Sequence, residues 1–212
     1  VTVPSNLEVG LKEWSPQNIS IKTNPEAIIW AVDGVDDNSV AFAARLMEKG
    51  VEVRIIDKEA LLSKQSLSRG SIAVLAMDNP EYEDLSETVN SIASDLDISV
   101  LSIESGFGAE ELPDWGGRHF RLLERPQIAI LSQSGFSSYD VGVSWWSLDH
   151  HLGIRHSQID ASLVNYADLR RYNTIILPSG YRDMGEYEKK VLSDWMEQGG
   201  TCLLYTSDAA DD

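Results

Sequence analysis

Ser179 is the residue whose position in the sequence most suggests catalytic chemistry. It follows a short apolar run at residues 174–177 (TIIL) and stands in the turn Pro178-Ser179-Gly180, ahead of a predicted helix. Several hydrolases hold a nucleophile on such a strand-to-helix turn, with a histidine elsewhere as its base. No G-x-S-x-G surrounds Ser179. Two interpretations therefore stay open, a nucleophile and a plain turn after a strand.

A second group of side chains suggests ligand binding. Ser134 lies in the polar loop at residues 132–138, Tyr139 follows it, and Trp145 and Trp146 lie on the helix predicted next. With Phe136, these aromatic side chains could line a pocket for a sugar or an aromatic ligand. Packing in the core or between domains is the alternative role for them.

The sequence predicts no metal site and no cofactor within this chain. His150 and His151 are adjacent, and neighbours on a helix point about 100° apart, so they do not face one ion. The acidic turn at residues 33–38 lacks the glycine and glutamate of a calcium loop, and no H-E-x-x-H occurs. The single cysteine, Cys202, excludes an internal disulfide and a cysteine-based zinc site. No glycine-rich dinucleotide loop follows the first strand.

The overall charge excludes one class of partner. A net charge of −17 repels phosphate backbones, so we expect no nucleic-acid partner. No stretch approaches the roughly 18 apolar residues of a membrane span, and we expect none. The chain opens on Val1 with no secretory signal pattern, which fits a segment taken from inside a longer polypeptide.

Hydrophobic periodicity predicts a small α/β unit over residues 25–106. Short apolar or alternating runs predict strands, and apolar residues at helical spacing predict helices after Asn38 and over residues 85–96. The resulting order β-α-β-β-α-β is typical of a small open sheet. Residues 1–24 are expected to be a lead-in, and the glycine-rich segment 107–125 a linker.

A second unit is predicted over residues 126–201. Strands at residues 127–131, 156–159, 174–177 and from 201 alternate with helices over residues 141–152 and 186–198, and Gly153 ends the first helix. Such alternation predicts a mostly parallel sheet with helices on both faces. The tail at residues 202–212 (CLLYTSDAADD) resembles translated sequencing-adapter read-through and is interpreted as non-native; a frayed acidic terminus is the alternative.

The second unit resembles a known fold. A strand, the turn at residues 177–180 (LPSG) and a helix ending at Gly199-Gly200 resemble the class I glutamine amidotransferase-like fold. The predicted fold class is therefore α/β, with two small units of mostly parallel sheets. The second is flavodoxin-like or amidotransferase-like, and truncated. Because no cysteine occupies the strand-to-helix turn, the resemblance implies a non-catalytic member.

A longer pattern resembles one enzyme family. It consists of residues 116–131 (GGRHFRLLERPQIAIL), 137–149 (SSYDVGVSWWSLD) and 168–180 (DLRRYNTIILPSG). This series resembles the C-terminal region of bacterial zinc carboxypeptidase-like metallopeptidases, over about residues 25–201. In that family a carboxypeptidase A-like domain precedes an amidotransferase-like domain of unassigned role.

The resemblance implies an accessory role for this chain. The zinc ligands of the family, two histidines and a glutamate, would lie before Val1, so no ligand is carried over to these residues. Removal of C-terminal residues from peptides by a zinc-activated water would belong to that missing peptidase domain, which is the expected partner. The resemblance also implies a secreted or periplasmic parent protein.

Three hypotheses follow. The chain is a non-catalytic accessory region of a metallocarboxypeptidase-like protein, a truncated amidotransferase-like hydrolase using Ser179, or a ligand-binding module using Tyr139, Trp145 and Trp146. An H-x-x-E upstream in the gene favours the first, and a histidine on a later strand favours the second. Exposed aromatic side chains favour the third, whereas buried ones contradict it.

Overall fold

The computed structural model describes residue 24 and residues 27–109, 111–180 and 184–205, which form two α/β units. The lead-in predicted at residues 1–24 lies outside the described residues except for Asn24. The part of the predicted tail beyond Tyr205 also lies outside them.

The first unit is built on a five-stranded sheet. Its helices and central strands lie where the periodicity predicts them, and α1 starts directly after Asn38. In chain order the elements are β1 (Ile29–Val32), α1 (Ser39–Glu48), β2 (Arg54–Ile56), β3 (Ala60–Leu62), β4 (Gln65–Leu67), β5 (Ile72–Leu75), α2 (Leu85–Asp95), β6 (Leu101–Ile103) and β7 (Phe120–Leu122).

Neighbouring strands of this sheet run antiparallel, in the order β6-β1-β5-β2-β7. The α/β class is confirmed, and the predicted strands and helices follow one another as expected. The hairpin β3–β4 and strand β7 were not predicted, and the prediction of mostly parallel strands is wrong for this unit. Helix α1 carries the chain from β1 to β2, which lies two positions away, and β5 fills the gap between them. In this split β-α-β arrangement, strands that run in the same direction are never neighbours.

Both faces of the first sheet are covered, because successive side chains of β1 point to opposite sides. Trp30 and Val32 pack with Phe42 of α1 in a cluster that includes α2. On the other face, Ile29 and Ala31 pack with residues of the hairpin β3–β4.

Part of the segment predicted as a linker, residues 107–125, contributes to this second face. Trp115 and Phe120 are buried, with ring centroids 5.0 Å apart. Strand β7 pairs with β2 and extends the sheet. The chain between the two sheets is therefore reduced to the few residues from Leu123 to Gln127.

The second unit is built on four parallel strands in the order β11-β10-β8-β9. The predicted parallel sheet is confirmed here, and its strand order matches the first four strands of the flavodoxin-like sheet. The elements are β8 (Ile128–Ser132), α3 (Ser138–Trp146), a π-helical turn (Ser147–Leu152), β9 (His156–Asp160), two 3-10 turns (Ala161–Tyr166 and Leu169–Arg171), β10 (Thr174–Leu177), α4 (Glu186–Glu197) and β11 (Thr201–Leu204).

The two faces of this parallel sheet are covered by different partners. On one face, Leu192 and Trp195 of α4 pack with alternate residues of β8 and β10. On the other face, Ile128 and Ile130 pack with Leu148 of the π-helical turn and with Ala44 of α1. A helix of the first unit therefore completes the core of the second.

A charge cluster lies beside this shared core. Glu48, at the end of α1, accepts hydrogen bonds at one carboxylate oxygen from Arg125 Nη2 (3.1 Å) and Arg155 Nε (2.7 Å). Its side chain is only 12% exposed. Burial alone raises the pKa of Glu48, but the hydrogen bonds from Arg155 and Arg125 outweigh it, so its pKa lies below the ordinary value.

We predict that Glu48→Gln lowers the free energy of unfolding by about 1 kcal/mol near neutral pH, because two guanidinium groups lose their carboxylate while solvent screens the exposed arginines. A carboxyl group with a lowered pKa stabilises the fold above its unfolded pKa of about 4.3, and this contribution disappears as the pH falls through the folded pKa. Urea denaturation at about pH 7 and about pH 3 measures the effect, and the difference between the proteins should shrink at the acidic pH.

The matched control is Glu186→Gln, which removes an exposed carboxylate that pairs with Lys189. It should change the stability by less than about 0.5 kcal/mol. Equal effects of the two variants would show that the Glu48 cluster does not hold the units together.

Candidate functional site

The loops that follow β8 and β10 meet at the carboxyl edge of the parallel sheet. In doubly wound sheets, ligands bind at this edge where the chain reverses its direction of strand addition. Here that point lies between β8, which leads to β9 on one side, and β10, which leads to β11 on the other. The loop after β8 carries Ser134, and the turn after β10 carries Ser179.

Backbone contacts join these two loops directly. Phe136 and Gly180 form an isolated β-bridge, and the Ser137 N–H donates to the Ser179 carbonyl at 2.7 Å. A Cβ at Gly180 would lie 2.8 Å from the Gly135 carbonyl oxygen, so only glycine permits this approach. The crevice where a ligand is expected is therefore bridged by the chain itself.

Ser179 is held by a carboxylate at this edge. Its hydroxyl donates to Asp140 in the first turn of α3, and the Asp140 N–H donates to the hydroxyl of Ser137, the N-cap residue. Among the described residues, no histidine forms a hydrogen bond with Ser179. The loop, the N-terminus of α3 and the turn after β10 thus form one hydrogen-bonded unit.

The four histidines lie in other settings. His119 pairs with Asp57 in the first unit, at 2.6 Å between Nδ1 and Oδ1. His150 stacks on Trp146, and His156 Nδ1 lies 3.2 Å from the Ile154 carbonyl oxygen. Among the described residues, none of the four histidines forms a hydrogen bond with Ser179 or Ser134.

Ser134 also has a structural partner. Its hydroxyl donates to Asp160 Oδ1 at the end of β9, over 2.7 Å. Gln133, Ser134 and Gly135 have φ angles of 57°, 44° and 98°, so three consecutive residues occupy the left-handed region. For the two residues with side chains this conformation is costly, and the bond to Asp160 helps to hold it.

A small cavity lies near the carboxyl edge of the sheet. A cavity of about 10 Å³ lies between Gly135, Phe136, Ala161, Met184 and Glu188. This volume is at the lower limit for one water molecule and far below that of a small-molecule site. Among the described residues, the geometry of this edge favours structural support over ligand binding.

The aromatic candidates lie on an exposed face of α3. Tyr139, Trp145 and Trp146 are 78%, 38% and 56% exposed, and no residue of α3 is fully buried. Tyr139, Val143 and Trp146 recur at intervals of four and three residues and share one side of the helix. We call Tyr139, Val143, Trp145 and Trp146 the α3 aromatic surface. The structure thus separates these residues from Ser134 and Ser179, which take part in internal bonds.

Sequence reasoning missed a basic cleft at the opposite, amino edge of the parallel sheet. Its volume is about 560 Å³, and Arg125, Arg155, Arg171 and His156 line it together with Glu48. The signal available in the sequence was weak. Each arginine stands just before a predicted strand, and the amino ends of parallel strands meet at one edge.

The described residues contain neither a metal-binding cluster nor a membrane-spanning helix. No group of three or more histidine, cysteine, aspartate or glutamate side chains there is arranged to hold a metal ion. No helix within those ranges combines the length and the apolar character that a membrane crossing requires.

Comparisons with protein families, with curated proteins and with solved structures found no match to this chain.

We predict that Ser179→Ala lowers the free energy of unfolding by about 1–3 kcal/mol, because the Asp140 carboxylate loses a hydrogen-bond donor. Ser138→Ala, at the exposed first residue of α3, is the control and should have a smaller effect. A fluorophosphonate probe, which labels activated serines, should label neither the wild-type chain nor the variant. Labelling of the wild type that Ser179→Ala abolishes would identify Ser179 as a nucleophile after all.

Proposed function

We propose that this chain is a non-catalytic accessory region of a zinc-dependent metallocarboxypeptidase-like protein. The observation that carries the non-catalytic role is the bond from the Ser179 hydroxyl to Asp140. The hydrolases that this turn resembles pair their nucleophile with a histidine, and among the described residues no histidine bonds to Ser179. Its hydroxyl bonds instead to the carboxylate in the first turn of α3, at the junction of two loops.

The connection to a metallocarboxypeptidase rests on the sequence resemblance over about residues 25–201, which is best over residues 116–200. In that family zinc activates a water molecule for peptide hydrolysis, and its two histidine ligands and one glutamate ligand belong to a preceding domain. The two α/β units would contribute to the stability of that domain, to its arrangement in the polypeptide, or to substrate access. The missing peptidase domain of the same polypeptide is the proposed partner.

We predict that the gene encodes an H-x-x-E motif upstream of this segment and a different sequence in place of CLLYTSDAADD. Sequencing the flanking DNA tests both expectations. A start codon directly before Val1, together with a histidine-bearing strand downstream, would contradict the accessory role and favour an amidotransferase-like hydrolase. As a biochemical check, the purified chain should not release C-terminal residues from peptides, with or without added zinc.

The exposure of the α3 aromatic surface favours a second candidate function, ligand binding. Exposed indole and phenol rings offer flat apolar area with little conformational entropy to lose, as binding surfaces do. His150 stacks on Trp146, with ring centroids 5.9 Å apart. A sugar ring is a ligand whose apolar face suits such side chains.

We predict that an N-acetylglucosamine tetrasaccharide, used as the sugar probe, changes the tryptophan fluorescence in a saturable manner. Trp146→Ala should weaken this binding about tenfold or more, because it removes a large stacking surface. The control is Tyr187→Ala on α4, whose exposed ring lies on the opposite side of the parallel sheet. No saturable change, or equal weakening by both variants, would exclude sugar binding on α3.

A further inference from the structure

The open edge of the parallel sheet is its amino edge, whereas the carboxyl edge is bridged by its own loops. The basic cleft lies at this amino edge, beside the first residues of β8 and β9 and the residues before β10. Its volume of about 560 Å³ is within the range of small-molecule sites. The cleft therefore has room for a small ligand.

Charge distinguishes this cleft from the rest of the molecule. The chain carries a net charge of −17, yet three arginines and one carboxylate, Glu48, line this space. The local excess of positive charge stands out because acidic residues outnumber basic ones two to one, at 34 against 17. An anion that approaches this protein finds here an attractive potential that most of the surface does not offer.

The arginines retain unused hydrogen-bonding capacity. Arg125 and Arg155 each donate one hydrogen bond to the same Glu48 oxygen. Each guanidinium has five N–H donors, so most of them stay available to a ligand. Arg171 also lines the cleft, and it forms no ion pair with Glu48 or with any other residue in the part of the chain that the structure describes.

The cleft wall is held by hydrogen bonds between the Asn173 side chain and the backbone. The Asn173 amide donates to the Arg125 carbonyl oxygen at 2.9 Å and accepts from the Gln127 N–H at 2.9 Å. These bonds fasten the segment before β8 to the segment before β10. Arg125 and Arg171 are therefore carried on neighbouring backbone segments, which reduces the entropy lost when both bind one ligand.

We propose that this cleft binds a small oxyanion with at least two negative charges, either a phosphate or a polycarboxylate. Guanidinium groups pair with both kinds of oxyanion through parallel N–H···O bonds. Such a ligand would bind Arg125 and Arg155, which also pair with Glu48 of α1 in the first unit. The site thus contains residues of both units and is independent of the α3 aromatic surface.

The test is a ¹H–¹⁵N NMR titration of the 212-residue chain with inorganic phosphate, and separately with citrate, at constant ionic strength. We expect saturable shifts of the amides at Gln127, Ile128 and Arg155, with a dissociation constant of about 1 mM or lower for at least one anion. The anion that saturates at the lower concentration identifies the ligand class. If neither produces saturable shifts at these amides, the proposal is wrong.

Two neighbouring arginines provide a matched pair of variants. Arg171→Gln removes a cleft residue, whereas Arg170→Gln makes the same change in charge at an exposed residue that pairs with Asp168 and does not line the cleft. Arg171→Gln should weaken binding about tenfold, and Arg170→Gln less than about twofold. Arg155→Gln, at a 78% exposed side chain, serves as the second cleft variant. Equal weakening by Arg170→Gln and Arg171→Gln would show a non-specific charge effect and overturn the proposal.

Discussion

The burial of one face of the parallel sheet determines how the two described units are arranged. Helix α4 covers the face formed by Ala129 and Ile175. The opposite face, with Ile128 and Ile130, is covered by the π-helical turn and by Ala44 of the first unit. Exposing that face would leave several aliphatic side chains in water, at about 25 cal/mol for each Å². The two units are therefore parts of one packed structure, although each has its own sheet.

This arrangement gives the two edges of the parallel sheet different characters. At the carboxyl edge, the bond from Ser179 to Asp140 and the bridge between Phe136 and Gly180 occupy the usual ligand position. At the amino edge, docking of α1 brings Glu48 beside Arg125 and Arg155. The first unit thus supplies an acidic wall to a cleft that is otherwise basic.

The sequence predicted the elements well because their signals are local. The helix before Gly153 and the helix over residues 186–198 follow from apolar spacing and from stop signals, and both are confirmed. Strand pairing in the first unit was not predictable in the same way. Whether β5 inserts between β1 and β2 depends on contacts between distant residues, and the order β-α-β-β-α-β fits both pairing directions.

The candidate site shows the same division. The position of Ser179 on a turn after a strand was predicted, but its partner Asp140 lies 39 residues away and belongs to another element. The basic cleft was missed because its arginines are far apart in sequence and gain meaning only when parallel strands align their amino ends. The exposure of Trp145 and Trp146 also depends on packing, since their sequence pattern fits a core helix equally well.

The π-helical turn after α3 controls which side chains that helix presents. A π turn contains one more residue within each hydrogen-bonded ring than an α turn, so it shifts the phase of the helix. Leu148, within the turn, faces the core, whereas Trp146 just before it faces outward. Each residue of an α-helix accounts for about 100° of rotation. Loss of a single residue between Ser147 and Leu152 would thus rotate α3 relative to the sheet and move its aromatic side chains to another side. The α3 aromatic surface therefore depends on a local irregularity of the backbone as much as on the aromatic residues themselves.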